Sequence, residues 1–358
     1  MPQRFHRPHF TSLIIAMLLA GVWAATGCGN NGAQPEERGR DASAPIVLGL
    51  TAPFAINQDL LREGATLAVE EINAAGGLLG GRRLELVMRD DRGDLPTGRA
   101  VANEFAANPR MVAVIGHVNS SISIPTSVIY EHAGLLMLTP ASTNPAFTQQ
   151  GYRLVFRMIP SDLEIGRQLA QYAANSGHRR MIIYHQSDEY GRGLATTLET
   201  VSAELDIEIL DRQAWDNTDD PEPFRRDLAL WAGLEADAFF LAGLLPGGAV
   251  FIREARAAGF DQPILTGNAL DADEFLKIAG PAADGTVVGW VFHPDIPREE
   301  VRTFLDRFEA RHKRPADSWA VQGYDAVQLL AHAIRTRQKA PTRPTWPKRC
   351  APWAHGTV

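Results

Sequence analysis

The sequence predicts an α/β protein made of two lobes, each a doubly wound parallel sheet with helices on both faces, joined by a hinge that the chain crosses more than once. Short apolar runs alternate with segments whose apolar residues recur at helical spacing, which is typical of parallel sheets covered by helices. The alternation breaks near residues 157–162 and then resumes, which indicates a second sheet. A chain of 358 residues also favours two domains over one.

The N-terminal segment has the pattern of a secretory signal peptide, which we predict over residues 1–27. Arg4 and Arg7 give a basic start, an apolar or small-residue stretch covers residues 13–25, and small residues lead to Cys28. The apolar stretch is shorter than the roughly 20 residues of a permanent transmembrane helix, which is the alternative interpretation. The pattern predicts a protein that works outside the cytoplasm.

Cys28 closes a short segment, residues 25–28, that resembles the lipobox of bacterial lipoproteins, although Ala25 stands where that motif usually has leucine. The resemblance implies that Cys28 is acylated and becomes the new N-terminus; the alternative is an ordinary cleaved signal followed by an unmodified cysteine. Residues 28–44 are polar, without an apolar pattern, and are predicted to form a flexible tether. A lipid and a tether would together hold a folded domain at a membrane surface.

The first lobe is predicted from two separate parts of the chain, residues 45–160 and 292–335. Its strands are expected, in order, at residues 46–50, 84–88, 112–115 and 135–138. Its helices are expected around residues 61–72, which Gly76 and Gly77 end, at 97–107, in a segment ending near 131, and at 301–311 and 319–335. The last two helices return to this lobe after a proline-containing crossing at residues 292–297.

The second lobe is predicted over residues 161–291 and repeats the same alternation. Its strands are expected at residues 181–184, 207–210, 238–241, 264–265 and 287–291. Its helices are expected at residues 162–176, 193–205, 224–231 and 249–258, with a short helix near Phe275. A chain that passes between two lobes more than once forms a hinge about which the lobes can close.

The C-terminal residues 336–358 differ from the rest of the chain. No Asp or Glu follows Asp325, and the segment is rich in Arg, Lys and Pro without apolar periodicity. We interpret it either as a disordered or aberrant tail or as an ordinary solvated basic tail.

Composition and motif searches exclude several classes of function. The net charge of −7, without a basic stripe in the folded part, argues against nucleic acid as a partner. The sequence contains no Gly-x-Ser-x-Gly elbow, His-Glu-x-x-His zinc motif or phosphate-binding loop, so we expect no enzyme, no cofactor and no metal. Asp90, Asp91 and Asp94 lack calcium-loop spacing and are predicted to lie in a solvated loop. His117 is expected to be structural rather than catalytic.

Five motifs in the same order resemble the branched-chain amino-acid (Leu/Ile/Val) binding protein family, the type I periplasmic solute-binding proteins of ABC transporters. They lie at residues 70–77 (EEINAAGG), 115–121 (IGHVNSS), 138–145 (LTPASTNP), 188–193 (DEYGRG) and 253–259 (REARAAG). The resemblance covers residues 46–334. It implies a type I periplasmic binding protein fold, and it is more specific for the fold than for the ligand.

Hydroxyl side chains follow two neighbouring strands of the first lobe. Ser120 and Ser121 lie between a buried strand and a helix, where free backbone N–H groups and the helix dipole favour an anion. Ser142 and Thr143 follow the next strand, and the ends of adjacent parallel strands form the crevice where such sheets bind ligands. The four residues therefore predict one carboxylate-sized site, in agreement with the family, which holds the ligand carboxylate there. The alternative is that these residues only cap helices.

The resemblance also implies contacts from the second lobe. The family places a tyrosine against the ligand at the position of Tyr190, although a surface or core tyrosine is the alternative. Asn268 stands where the family usually has an acidic residue for the ligand ammonium, and Asp271 is a nearby candidate to replace that residue. Further candidates are Asn119, Asn57 at a family tryptophan position, and Leu244, since a family aromatic position falls at Leu244 or Leu245. These departures leave the ligand open between an α-amino acid, an amide, a urea-like compound and a small acid.

These observations predict an extracytoplasmic solute-binding lipoprotein of an ABC importer. It would bind an amino acid or a related small carboxylate or amide between its lobes and deliver it to permease and ATPase subunits. Its lipid at Cys28 would hold it at a bacterial membrane, in the periplasm or at the cell surface. The alternative function is a ligand-sensing lipoprotein or a receptor-like binding protein for amides, urea-like compounds or small acids.

Overall fold

The computed structural model of the protein describes residues 44–54, 59–216 and 218–336. The predicted signal peptide, Cys28, Asn57 and the C-terminal tail after residue 336 lie outside these ranges, as does all but the last residue of the predicted tether. Within the described ranges, no helix combines the length and the apolar character needed to span a bilayer.

The described chain alternates strands and helices throughout. The elements of the first series are β1 (Ile46–Ala52), α1 (Asp59–Ala74), β2 (Leu84–Asp90), α2 (Leu95–Ala107), β3 (Met111–Ile115), α3 (Ser120–His132), β4 (Leu136–Thr139), α4 (Ala146–Gln149) and β5 (Val155–Arg157). The second series is α5 (Asp162–Asn175), β6 (Arg180–Gln186), α6 (Glu189–Glu204), β7 (Glu208–Trp215), α7 (Pro221–Trp231), β8 (Ala238–Ala242), α8 (Gly247–Ala257), β9 (Ile264–Thr266), α9 (Asp273–Ala279) and β10 (Thr286–Val288). Two helices follow, α10 (Glu299–His312) and α11 (Ser318–Thr336).

The strands form two separate five-stranded sheets. The first has the order β2-β1-β3-β4-β5 and the second the order β10-β9-β8-β6-β7, and every pair of neighbours is parallel. In the first sheet the chain turns to one side after β1 and to the other side from β3 onward. This change of direction opens a crevice at the carboxyl ends of the central strands. The predicted fold of two parallel-sheet lobes is confirmed.

Each sheet buries both of its faces, because alternate residues of a strand point in opposite directions. In β1, Leu48 and Leu50 pack in a core with residues of α1 and α11, whereas Val47 packs in a second core with residues of α2 and α3. In β6, Tyr184 packs with α7 and α8, and Ile183 packs with α5 and α6. The near-continuous apolar strands of the sequence are explained by this double coverage.

The last two helices belong to the first lobe, although they follow the second lobe in the chain. Helix α11 packs along α1, and α10 also contacts α1. The surfaces of α10 and α1 are joined by ion pairs, among them Arg311 with Glu70 and Arg307 with Glu71. The predicted lobe limits at residues 160 and 291 remain a prediction.

The structure adds two elements that the sequence patterns did not predict. Strand β5 ends at Arg157, where the predicted break in the alternation begins, and the one-turn helix α4 precedes it. Both are too short to show a periodic pattern. Helix α6 also begins earlier than predicted, because the carboxylate of Asp188 accepts a hydrogen bond from Gly191 N at 2.7 Å and caps the helix.

Candidate functional site

Three serine hydroxyls meet where β3 and β4 end. Ser120 Oγ lies 3.0 Å from Ser142 Oγ, and Ser123 Oγ donates to Ser142 Oγ at 2.6 Å. All three residues are buried. The two strand-to-helix junctions that the sequence singled out therefore lie side by side. Ser123 was missed, although its spacing of three from Ser120 places both on one face of a helix.

Ser120 does not act as a cap of its own helix. The N-terminal residue that flanks α3 is Asn119, which makes no side-chain capping bond. The Ser120 hydroxyl instead accepts a long hydrogen bond, 3.4 Å, from Asn144 N in the neighbouring loop. Helix capping, the alternative role for these hydroxyls, is not the role that Ser120 has in this structure. Asn119 and Ser121 are half-buried at the same helix start.

The loop that follows β4 is held by its own polar contacts. Thr139 Oγ1 donates to His117 O at 2.7 Å and accepts from Ser142 N at 2.9 Å, which ties the loops after β3 and β4 together. Arg157 Nη1 contacts Ser142 O, Thr143 O and Asn144 O at 3.4, 3.2 and 2.9 Å. Burial lowers the pKa of the Arg157 guanidinium. Because the Arg157 guanidinium donates to these three backbone carbonyls, it stabilises the conformation of the loop after β4.

A buried chain of side chains supports the loop after β3. His117 Nδ1 lies 2.6 Å from Asp91 Oδ2, and His117 Nε2 lies 3.1 Å from Tyr130 OH. Asp91 also accepts from Gly93 N at 3.1 Å. His117, Asp91 and Tyr130 are all fully buried, and burial raises the pKa of the Tyr130 hydroxyl. The prediction that Asp91 lies in a solvated loop is therefore wrong, because its carboxylate is buried and contacts His117 Nδ1.

Two hydroxyls in this region are buried and make no hydrogen bond of ordinary geometry within the described residues. They are Thr143 Oγ1, in the loop after β4, and Tyr190 OH, on the first turn of α6 in the second lobe. Burial raises the pKa of Tyr190 well above its usual range, so its hydroxyl stays protonated. Buried polar groups are nearly always hydrogen-bonded in native proteins, so unpartnered ones at a crevice are candidates for ligand contact.

The two lobes touch beside these hydroxyls. Asn144 Nδ2, in the first lobe, donates to Glu189 O at 2.6 Å, at the start of α6. The α-carbon of Gly193, one turn further along α6, faces the same amide, because a side chain there would begin 2.5 Å from Asn144 Nδ2. The glycine at this position thus permits the close approach of the lobes.

The other predicted residues of the second lobe have different surroundings. Asn268 is buried in a short 3-10 turn after β9, and the preceding residue, Gly267, lies against Tyr190 OH. Leu244 is half-buried, and its backbone N donates to Gln186 Oε1 at 3.1 Å. Asp271 accepts a short hydrogen bond from Ser318 Oγ at the start of α11. Asp271 is thus engaged with the first lobe, which weakens its candidacy as a ligand contact.

A second carboxylate lies at the same junction between the lobes. Burial, together with the charges of Asp271 and Asp273, raises the pKa of Asp317 from 3.8 to about 6. Its Oδ1 accepts from Ala320 N at 2.9 Å, in the first turn of α11. Because the folded protein holds this proton more tightly than the unfolded chain, stability should fall as pH rises from about 4 through about 6.

We expect Asp317→Asn to stabilise the ligand-free protein above pH 6, by about 1–3 kcal/mol, because the amide oxygen keeps the capping bond without the charge. The gain should shrink steeply as the pH falls to 4 and vanish near pH 3, below the ordinary Asp pKa of about 3.9, where Asp317 is protonated in both states. Denaturant unfolding from pH 4 to 8 measures this difference. Asp306→Asn, at an exposed position on α10, is the control and should show no such pH dependence. A gain that is equal at pH 4 and pH 8 would contradict this assignment.

Comparisons with known proteins agree with this architecture. Residues 44–347 match the family model described as periplasmic binding protein. The chain is 30% identical over 294 residues, 81% of this chain and 77% of the relative, to the leucine-, isoleucine-, valine-, threonine- and alanine-binding protein of Pseudomonas aeruginosa.

Two solved structures are also similar to this chain. A substrate-binding protein of an ABC transporter from Desulfitobacterium hafniense, in complex with Leu, has a TM-score of 0.73 at 42% identity and covers 84% of this chain and 86% of its own. A solute-binding protein of an ABC transporter from R. palustris, in complex with benzoate, has a TM-score of 0.73 at 25% identity and covers 81% of each chain. The two parallel-sheet lobes and these matches together show that the chain belongs to the type I periplasmic binding protein family, in the group that includes the Leu/Ile/Val-binding proteins.

Proposed function

We propose that this protein is the extracytoplasmic solute-binding subunit of an ABC importer and that it binds an amino acid or a related small carboxylate between its lobes. The observation that carries the proposal is the group of hydroxyls at the ends of β3 and β4. Ser120 and Ser142 lie 3.0 Å apart, and the neighbouring Thr143 hydroxyl is buried without a hydrogen bond of ordinary geometry among the described residues. Hydroxyls that can turn their protons outward are suitable donors to a carboxylate.

The ligands named in the related structures support a carboxylate at this site. The relative from Desulfitobacterium hafniense is in complex with Leu and the one from R. palustris with benzoate. Leucine and benzoate differ in size, in charge and in the presence of an amino group, but both carry a carboxylate. An anion-binding first lobe combined with a variable second lobe would account for this range of ligands.

Closure of the lobes would follow from contacts that only a bound ligand completes. The ligand would first bind the hydroxyls of the first lobe, and Tyr190 and Asn268 would cover it from the second lobe. A ligand favours the closed form only through its higher affinity for that form. The hydrogen bond from Asn144 to Glu189 O lies at this contact and would add to it. We further propose that the closed form is the one recognised by permease and ATPase subunits.

The proposed location rests on the N-terminal pattern. A signal peptide over residues 1–27 would direct the chain out of the cytoplasm, and a lipid on Cys28 would hold it at the membrane. The tether of residues 28–44 would let the binding domain reach its membrane partners.

We expect the double variant Ser120→Ala/Thr143→Ala to lose at least about tenfold in affinity for the carboxylate ligand, because a hydrogen bond to a charged group contributes about 1.5–3 kcal/mol. Isothermal titration with leucine, isoleucine, valine, threonine, alanine, benzoate and acetamide tests the proposal. Thr126→Ala is a matched control, because Thr126 is a buried hydroxyl on α3 that donates to Ile122 O of its own helix at 2.7 Å. Unchanged affinity in the double variant would remove these hydroxyls from the site. Binding of acetamide alone would overturn the carboxylate assignment.

A further inference from the structure

Arg157 is the last residue of β5, the edge strand of the first sheet, and its half-buried guanidinium reaches the loop after β4. Its Nη1 lies 3.4, 3.2 and 2.9 Å from the carbonyl oxygens of Ser142, Thr143 and Asn144. Its Nη2 donates to Thr148 Oγ1 at 3.0 Å. A cation taken partly out of water is unfavourable unless such acceptors surround it. The guanidinium therefore favours the loop conformation in which these carbonyls face it.

The orientation of these carbonyls determines where the peptide N–H groups point. The peptide bonds that follow Ser142 and Thr143 are trans, and in a planar trans peptide the N–H points opposite to the C=O. Because both carbonyls face Arg157, the N–H groups of Thr143 and Asn144 point away from it. The hydrogen bond of Asn144 N agrees with this direction, since it goes to Ser120 Oγ at 3.4 Å.

The side of the loop opposite to the guanidinium is therefore the side of the proposed anion site. Ser120 Oγ lies there, 3.0 Å from Ser142 Oγ. The Thr143 hydroxyl in the same loop is buried and makes no hydrogen bond of ordinary geometry among the described residues. Backbone and hydroxyl donors thus lie on one side of the loop, and a cation lies on the other.

Two donors from different elements hold the carbonyl of Thr143. It accepts from Arg157 and also from Asp162 N, at 2.9 Å, at the start of α5. The guanidinium stays charged at ordinary pH, although burial lowers its pKa. A cation bonded to a carbonyl polarises the peptide unit, so the N–H at the other end becomes a stronger donor. A negatively charged acceptor gains most from such a donor.

We propose that Arg157 is a positioning residue of the anion site, which raises the affinity for the ligand carboxylate without contacting the ligand. It turns the N–H groups of Thr143 and Asn144 toward the carboxylate and strengthens them as donors. The inference rests on the proposed function, because it requires the carboxylate to lie at Ser120 and Thr143. A residue that only stabilised the loop would support every ligand equally, whereas oriented and polarised N–H groups favour an anion over a neutral ligand.

The first test compares each carboxylate with the alcohol that has a hydroxymethyl group in its place. The pairs are leucine with leucinol and benzoate with benzyl alcohol. In Arg157→Gln, which keeps an amide donor but not the charge, affinity should fall at least about tenfold for the carboxylates and less than about twofold for the alcohols. Arg157→Lys restores a positive charge and should recover part of the loss. Thr148→Val is the matched control, because it removes only the contact with Arg157 Nη2 and should leave all affinities unchanged.

A second measurement observes the peptide groups directly. In the wild-type protein, the amide proton resonances of Thr143 and Asn144 should move downfield when leucine or benzoate binds, since both N–H groups donate to the carboxylate. At saturating ligand, these shifts should shrink to about half or less in Arg157→Gln. Where the alcohols bind too weakly to titrate, the amide shifts alone decide.

Circular dichroism of the ligand-free protein verifies that Arg157→Gln folds. If this variant does not fold, the amide shifts are measured on Arg157→Lys instead. They should also be smaller than in the wild type, because an ammonium lacks the planar fork with which Arg157 contacts the loop and Thr148 together.

Each result has a distinct meaning. Equal losses of affinity for a carboxylate and its alcohol would show that Arg157 only stabilises the loop, which would overturn the inference while the carboxylate site would stand. Amide shifts as large as in the wild type would overturn it as well. Wild-type protein that binds no carboxylate ligand of the titration panel would overturn the proposed function itself, and this inference with it.

Discussion

Replacing Asp91 by alanine is expected to lower the unfolding free energy by about 2–5 kcal/mol, because each buried polar group that loses its hydrogen-bond partner costs about 1–3 kcal/mol. Asp91 and His117 are fully buried, and the variant leaves His117 Nδ1 without its partner at 2.6 Å. Gly93 N loses its acceptor as well. Urea unfolding of the ligand-free protein measures the change.

The same substitution should also weaken ligand binding, because His117 contacts Asp91 through its ring and the loop of the proposed binding site through its carbonyl. The His117 carbonyl accepts from Thr139, and Thr139 in turn holds Ser142 N. Asp90→Ala is the matched control, since the neighbouring Asp90 is only half-buried and accepts from Arg92 N at 2.8 Å. It should change stability by about 1 kcal/mol or less. A loss below 1 kcal/mol for Asp91→Ala would contradict the structural role assigned to this pair.

Gly64→Ala is expected to destabilise the first lobe by more than about 3 kcal/mol, at or beyond the upper end of the usual range for overpacking. Helices α1 and α11 approach so closely that a β-carbon on Gly64 would lie 1.9 Å from Ala320 O. On the facing helix, a β-carbon on Gly323 would lie 2.0 Å from Leu61 O. Backbone atoms cannot turn aside as a flexible side chain can, so both helices must separate.

Gly233→Ala is the matched control for the helix contact, because a β-carbon there would meet no atom within 4 Å. It should be neutral or stabilising by about 0.4–1 kcal/mol, through its effect on the unfolded chain. Thermal unfolding and soluble yield are suitable measurements for both variants, since a destabilised Gly64→Ala protein is also expected to give a lower yield. A Gly64→Ala protein as stable as the wild type would show that the two helices can separate at little cost.

The sequence predicted most of the secondary structure, because long periodic patterns determine which element a segment forms. The strands around Ile46, Val114 and Phe239 and the helices of both lobes were expected from these patterns and are present. The short elements β5 and α4 were missed, since three or four residues carry no period. The nearness of Ser120 to Ser142 was also predictable, because adjacent parallel strands end at the same edge of a sheet.

The partners of buried polar groups were not predictable in the same way. Asp91 was expected to be solvated, but it pairs with His117 from a different loop. Asp271 was a candidate ligand contact, but it is bonded to Ser318 of the other lobe. Arg157, which contacts three carbonyls of the loop after β4, lies where the sequence showed only a break in the alternation. In each case the partner is distant in the chain, so no local pattern records the contact.

The sequence by itself determined the two parallel-sheet lobes, the family and the edge of the sheet where a ligand would meet hydroxyl groups. These follow from periodicity and from ordered motifs, which are properties of consecutive residues. Only the tertiary structure decided which polar groups are satisfied and which are left without a partner, because that depends on residues brought together from separate segments. The buried hydroxyls of Thr143 and Tyr190, which make no hydrogen bond of ordinary geometry among the described residues, are features of this second kind.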